Sequence, residues 1–297
     1  MNFDFPPFRP PSEAQSILIR ATRGCPWNKC TFCIMYKGMR FSRRPVREIK
    51  RDIVAAKSIF GPRPTMFIGD SNSLVMKTED LVEVLRFARK VFPGLQRITS
   101  YARAKTLLRK PLEDLLELRR AGLTRLHVGL ETGDDKLLKY VNKGATASEM
   151  VDAGRKAMEA GFELTEYVIL GLGGEEGYRR HARETARVLN KINPTFIRVR
   201  TLVPIPGTPL YEKVVSGEFK VSSPLDVLRE TKILIENLNV TSWFLSDHVS
   251  NYLPVNGKLP DDKEDLINFL DLHIDILETD PVLGRRLLQP EHLRQRL

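Results

Sequence analysis

The chain has 297 residues, 42% of them hydrophobic and 28% charged, with 47 Lys and Arg against 37 Asp and Glu and a formal charge of +10. No apolar run approaches the roughly 20 residues that span a bilayer, and the N-terminus lacks the basic start and apolar centre of a secretory signal, so no membrane association and a cytoplasmic location are expected. The basic excess suits an anionic or nucleic-acid partner, although Lys and Arg are spread over most predicted helices and cluster only at 40–51 and 285–296.

From the start of the chain, residues 1–15 read as an irregular, proline-rich surface leader with Pro6, Pro7, Pro10 and Pro11. Short runs rich in Ile, Leu and Val predict strands at 16–21, 65–68, 97–101, 125–130, 164–170 and 196–202. Segments of helical period predict helices at 46–60, 79–92, 112–121, 147–160 and 178–192. Such alternation implies parallel strands with right-handed crossovers, hence a barrel or an open doubly wound sheet, with ligands at the carboxyl ends of the strands. After Pro209 the pattern turns to helices at 225–238 and 263–277, separated by the stretch 242–260.

All three cysteines, Cys25, Cys30 and Cys33, fall within nine residues directly after the first predicted strand. An odd number at tight spacing fits metal ligation in a reducing compartment better than disulfides. Soft thiolates select zinc, copper or iron–sulfur clusters. Three ligands in one short loop can grip three corners of a cubane cluster and leave one iron without a protein ligand. The alternative is a zinc site completed by a histidine, for which His127 is nearest in sequence.

The segment Arg23-Gly24-Cys25 through Cys33 resembles the cluster loop of the radical S-adenosylmethionine (SAM) superfamily, whose common pattern is C-x₃-C-x-aromatic-C. Phe32 takes the aromatic position, and the loop departs from the pattern by one extra residue, reading C-x₄-C-x₂-C. Phe67-Ile68-Gly69-Asp70-Ser71-Asn72 is similar to the turn that meets the SAM amino group in that superfamily. His127-Val128-Gly129-Leu130-Glu131-Thr132-Gly133, with Asn142-Lys143-Gly144, resembles the G-x-E-S-G and K-G signatures of the branch containing methylthiotransferases, elongator-type enzymes and cobalamin-binding members. Tyr167 to Glu175 resembles a G-L-P-G-E segment, and Val203 to Leu210 a P-x-P-G-T-P-L segment, of the same branch.

The resemblance implies an α/β fold: a partial (β/α)6 TIM-like barrel of parallel strands over 16–212 with a mostly helical C-terminal extension over 213–297. It implies a [4Fe–4S] cluster on Cys25, Cys30 and Cys33 and SAM as second cofactor, cleaved reductively to a 5′-deoxyadenosyl radical. The expected SAM contacts are Phe32, Gly69, Asp70, Ser71, Glu131, Thr132, Ile169, Leu170 and Gly171. Arg200 shares a strand face with Arg198 and is a candidate for the SAM carboxylate if it points inward. Substrate candidates are Tyr36 and Lys37 after the cysteine loop, Tyr101 and Arg103 after the third strand, and His248 and Asn251 in the polar C-terminal stretch. With no second cysteine set, an auxiliary cluster is not expected. The chain reads as a minimal enzyme acting on a small, anionic molecule or biosynthetic intermediate, served by an electron donor such as flavodoxin or ferredoxin. An RNA-modifying enzyme and a non-catalytic zinc or iron–sulfur binding module are the alternatives.

Overall fold

The computed structural model describes residues 8–289. The first seven residues of the predicted leader and the end of the second basic cluster lie outside the described residues. In chain order, strands β1 (Ile17–Arg20), β2 (Thr22–Arg23) and β3 (Ser42–Arg43) lead to helix α1 (Val46–Phe60), β4 (Thr65–Gly69), α2 (Thr78–Val91), β5 (Arg97–Ala102), α3 (Ala104–Arg109) and α4 (Leu112–Ala121). There follow β6 (Leu123–Glu131), α5 (Asp135–Tyr140), α6 (Ala147–Glu159), β7 (Glu163–Leu170), α7 (Gly174–Ile192), β8 (Phe196–Thr201) and α8 (Pro209–Val215). The last elements are α9 (Pro224–Asn237), β9 (Trp243–Leu245), β10 (Asn256–Lys258), α10 (Lys263–Thr279) and α11 (Pro281–Leu287). The fold is α/β with an eight-stranded, mostly parallel sheet in the order β1-β4-β5-β6-β7-β8-β9-β10, and β2 and β3 pair separately. All six predicted strands are present. The stretch 242–260, read as a connection, supplies two more, β9 parallel to β8 and β10 antiparallel to β9.

Two compact units divide the chain. The first holds residues 1–28, 35–128 and 152–164. Its strands β1, β4 and β5 pair in parallel, Leu18 opposite Phe67 and Phe67 opposite Thr99. Every residue of β1 is buried, the pattern of a strand covered on both faces. Helix α1 turns Ile49, Ile53 and Ala56 inward at helical spacing and ends at Gly61 with φ +64°, a left-handed stop that favours glycine. Helix α2 carries Glu79 and Asp80 in its first turn and Arg89 and Lys90 in its last, matching the helix dipole. The leader is anchored: Pro11–Glu13 form a 3₁₀ turn and Glu13 is fully buried.

The second unit holds 29–34, 129–151 and 165–297. Here β7 pairs with β8 in parallel, Tyr167 opposite Arg198 and Ile169 opposite Arg200. Helix α9 starts with a capping box, Ser223 and Asp226 each satisfying the other's backbone N–H, with Pro224 at the first helical position. It packs against both α7 and α10. Between β6 and α5, the turn at Gly133 lies so close to α7 that a Cβ there would meet the Glu184 carbonyl oxygen at 2.3 Å and Thr185 Cα at 2.7 Å. The Gly133 N–H donates to Thr185 Oγ1 at 2.9 Å. Because those neighbours are helix backbone, Gly133→Ala must displace α7 and is expected to cost about 1–3 kcal/mol. Thermal melting checks this, and a parental melting temperature would contradict the packing.

Candidate functional site

In the first unit the cysteine loop opens at Gly24, φ +76°, and turns again at Asn28, φ 50°, a conformation that suits glycine and asparagine. Cys25 Sγ accepts the Asn28 backbone N–H at 3.4 Å. Asn28 Nδ2 donates to the Tyr36 carbonyl at 2.6 Å, and Lys37 Nζ donates to the Asn28 carbonyl at 2.8 Å. Ser71 Oγ donates to the Gly24 carbonyl at 2.8 Å, so the turn after β4 is tied to the start of the loop. Asp70, expected near the cofactor, is fully buried with its carboxylate 3.3 Å from Arg20 Nε. The Gly69–Asp70 peptide is cis.

The four substrate candidates of this unit all have structural partners. Lys37 closes the cysteine loop. Tyr36 is buried edge-on to Phe8, ring centroids 5.5 Å apart. Tyr101 packs between Phe67 at 5.0 Å and His127 at 6.1 Å, and the Arg103 guanidinium lies 5.4 Å over the Trp27 ring. His127 is fully buried with Nε2 3.4 Å from Glu13 Oε1. Burial pushes the Glu13 carboxyl up, but hydrogen bonds from His127 and Ser16 and the charge of Arg97 outweigh it and hold its pKa below the ordinary value.

In the second unit, Phe32 sits in an apolar cluster with Val141, Ile169, Leu172, Leu202, Leu210 and Phe219, and Cys30 and Cys33 pack against that cluster. Thr31, between them, donates its N–H to the Val141 carbonyl at 3.0 Å and accepts the Leu210 N–H at 3.0 Å. Two residues past Val141, Lys143 Nζ donates to Glu131 Oε1 at 2.7 Å. Glu131 itself has φ +64°, a strained value for a residue with a side chain, of the kind that clusters at functional sites. The Thr132 hydroxyl accepts the Asp134 N–H at 3.0 Å and so builds the turn.

A buried relay links the ends of β6 and β7. His181 Nε2 lies 3.4 Å from the Glu131 carbonyl, its Nδ1 bonds Glu230 Oε1, and Glu230 Oε2 accepts the Gly171 N–H at 2.8 Å. Ile169 and Leu170, the other expected adenine contacts, are buried beside it.

Arg198 and Arg200 lie on the face of Tyr167 and Ile169, their register partners. Arg198 pairs with Asp247. His248 Nδ1 accepts the Ser250 N–H at 3.1 Å, and Ser250 Oγ accepts the Thr201 N–H at 3.1 Å. Asn251 is spent on β8: Oδ1 accepts the Thr201 hydroxyl at 3.1 Å and Nδ2 donates to the Val199 carbonyl at 2.9 Å. Burial, then the charge of Arg200, lowers the His248 pKa to about 4, against the smaller opposing pull of Asp247.

A sequence model of the Radical SAM superfamily matches residues 19–186, more than half of the chain. The chain belongs to the radical SAM superfamily. It is 24% identical over 203 residues to an uncharacterized methyltransferase, PH0819, of Pyrococcus horikoshii, covering 67% of this chain and 42% of that protein. It is 26% identical over 212 residues to tRNA-2-methylthio-N(6)-dimethylallyladenosine synthase of Neisseria meningitidis, covering 66% and 46%. Among solved structures it shares its fold with coproporphyrinogen III oxidase from Escherichia coli, a radical SAM enzyme, at TM-score 0.57 and 18% identity over 74% of this chain and 52% of that one. The chain spans less than half the length of these two curated relatives. Among the described residues no helix is long and apolar enough to cross a membrane.

The chain is therefore an enzyme, and the cofactors of its superfamily are a [4Fe–4S] cluster and SAM. The residues present fit that group. All three cysteines are half-buried thiols outside any disulfide. Two rest on an apolar cluster and the third accepts an N–H···S bond, both of which are levers on cluster potential. His127, the histidine nearest in sequence to the cysteines, lies against Glu13.

Three features around Glu131 escaped the sequence reading. Lys143 stood in the quoted Asn142-Lys143-Gly144 signature without a role, and the His181–Glu230 relay left no local pattern. The third is Glu166 on β7, whose Oε2 has no hydrogen-bond partner among the described residues. Complete burial, followed by the opposing charge of Lys143 and the like charge of Glu131, leaves its pKa well above the ordinary 4.5. A raised folded pKa means that Glu166 contributes fully below the unfolded value and that this stability is lost as pH rises toward the folded one. Glu166→Gln, which mimics the protonated acid, is therefore expected to melt above the parent at pH 8, with the gap closing toward pH 4.5. Thermal melts at the two pH values check this; a gap of equal size at both contradicts it.

Proposed function

We propose that Cys25, Cys30 and Cys33 hold the [4Fe–4S] cluster and that the surrounding residues bind SAM for reductive cleavage, with a small anionic molecule or biosynthetic intermediate as substrate. The observation that carries the reading is the three-thiol loop whose second and third cysteines rest on a buried apolar floor. When bound, the cluster and SAM supply one-electron cleavage of a carbon–sulfur bond and a primary carbon radical able to take hydrogen from the substrate.

The protein's own part is to bind, orient and exclude water. Phe32 and its apolar neighbours keep water from one side of Cys30 and Cys33. The turn at Gly69–Ser71 presents backbone for a close approach to the amino group, with Asp70 fixed by Arg20 and Ser71 by Gly24. Glu131 and Lys143 form a hydrogen-bonded pair suited to the ribose or amino acid part of SAM, and Thr132 holds the turn beneath them. The relay through His181 and Glu230 holds the Glu131 carbonyl and the Gly171 N–H in place, so that Ile169 to Gly171 can flank the adenine. A small electron donor such as flavodoxin or ferredoxin would reduce the cluster.

A second reading, RNA modification, is favoured by the surface groove between α1 and α2, lined by Arg47, Arg51 and Phe87, with Lys50 paired to Glu83. RNA binding that weakens steeply with salt would support it, since each released phosphate counterion steepens the slope.

Replacing any one of the three cysteines with Ala is expected to remove cluster iron and SAM cleavage together, by iron and sulfide analysis and product assay; full iron in any variant would contradict the ligand set. Glu131→Gln is expected to raise the SAM dissociation constant about tenfold, roughly 1.4 kcal/mol, with iron content unchanged. Parental SAM affinity would remove Glu131 from the site.

A further inference from the structure

We propose that Arg200 and His248 form an anion-binding subsite for the substrate, a carboxylate or phosphate group held between the Arg200 guanidinium and the His248 Nε2–H. The inference rests on the radical SAM reading above and names the substrate class of that site.

Two arginines project from the same face of β8, and they differ in what meets them. Arg198 is neutralised by Asp247. Arg200, one step closer to the carboxyl end where α/β sheets bind ligands, has no carboxylate partner among the described residues. Its register partner Ile169 and the residue two further on, Leu202, both belong to the apolar cluster on which Cys30 and Cys33 rest. The Leu202 N–H continues the ladder to the Leu170 carbonyl at 2.8 Å, which keeps the alternation of faces intact beyond Arg200. A half-buried guanidinium thus shares the sheet face of the cysteine floor with its charge uncompensated. The planar guanidinium suits a carboxylate or phosphate bidentately.

His248 supplies the second donor. Its Nδ1 accepts the Ser250 N–H, so the neutral ring carries its proton on Nε2. The low pKa keeps it neutral near pH 7, a donor without a second positive charge to repel Arg200. Its position is fixed from below: Ser250 and Asn251 bond to Thr201 and Val199, on either side of Arg200 in the chain. Gln289 Nε2 donates to the Val249 carbonyl at 2.7 Å and adds another tie. Four hydrogen bonds around a five-residue segment make it a preorganised wall rather than a linker.

The test is calorimetric titration of the full chain with its cluster in place, using inorganic phosphate and succinate as probes and SAM as control. One saturable site for at least one probe is expected. Binding should weaken about tenfold in Arg200→Gln and severalfold in His248→Gln, while SAM affinity falls far less than probe affinity; an equal fall would return Arg200 to the SAM carboxylate, the role that the sequence reading considered for it. Tighter phosphate binding identifies a phosphate ester as the substrate group, and tighter succinate binding a carboxylate. Should Arg200→Gln melt below the parent, Arg200→Lys replaces it: charge is kept and the planar fork lost, so probe binding must still fall severalfold. The proposal is overturned if neither probe binds, if the variants bind the probes as the parent does, or if Arg200→Gln weakens SAM as much as the probes. Because SAM affinity is read in the same samples, a failure of the cofactor assignment shows separately from a failure of the anion subsite.

Discussion

A nine-residue loop that carries three cysteines has to satisfy its own backbone, and much of what surrounds it follows from that demand. Left-handed turns at Gly24 and Asn28 let the chain double back, and three carbonyls find donors: Ser71 for Gly24, Lys37 for Asn28 and Leu210 for Thr31. The one side chain that turns inward between the second and third cysteines is Phe32, and its burial orients the thiols on either side of it. Polar side chains near the loop are consumed in holding it. Those that remain for chemistry are therefore few and informative.

The same division of labour explains which expectations survived. The six strands were legible as short segments carrying Ile, Leu, Val or Phe, nearly unbroken in β1 and alternating with Arg198 and Arg200 in β8, the patterns of doubly and singly covered strands. Strands β9 and β10, three residues each and containing Trp243, Asn256 and Gly257, are too short to show a period. Helices α3, α5, α8 and α11 span six or seven residues, less than two turns, and also leave no amphipathic signal. Helix α7 begins at Gly174, four residues before its predicted start, because no side-chain cap marks that end.

At the candidate site, Cys25, Cys30, Cys33 and Glu131 stand out in the sequence because their spacing along the chain is what the resemblance rests on. Tyr36 and Lys37 were picked out as following the cysteine loop, and Tyr101 and Arg103 as ending the third strand, which is equally the description of residues that close a loop or fill an interior. The pairing of His181 with Glu230 spans 49 residues and that of Glu131 with Lys143 depends on a left-handed turn. Neither can be read from local pattern. Glu230 also shows that the segment after 212 does more than extend the core: a helix from it carries the carboxylate that holds Gly171 in place.

The central claim is that three thiolates leave one iron open to SAM, and it is tested most directly by product analysis under strict anaerobiosis. Protein reconstituted with iron and sulfide, given SAM and a strong reductant, is expected to release methionine and 5′-deoxyadenosine in equal amounts, dependent on both protein and reductant. Reconstituted protein that takes up a single zinc ion in place of the cluster, or that carries four irons yet leaves SAM intact, would contradict the account.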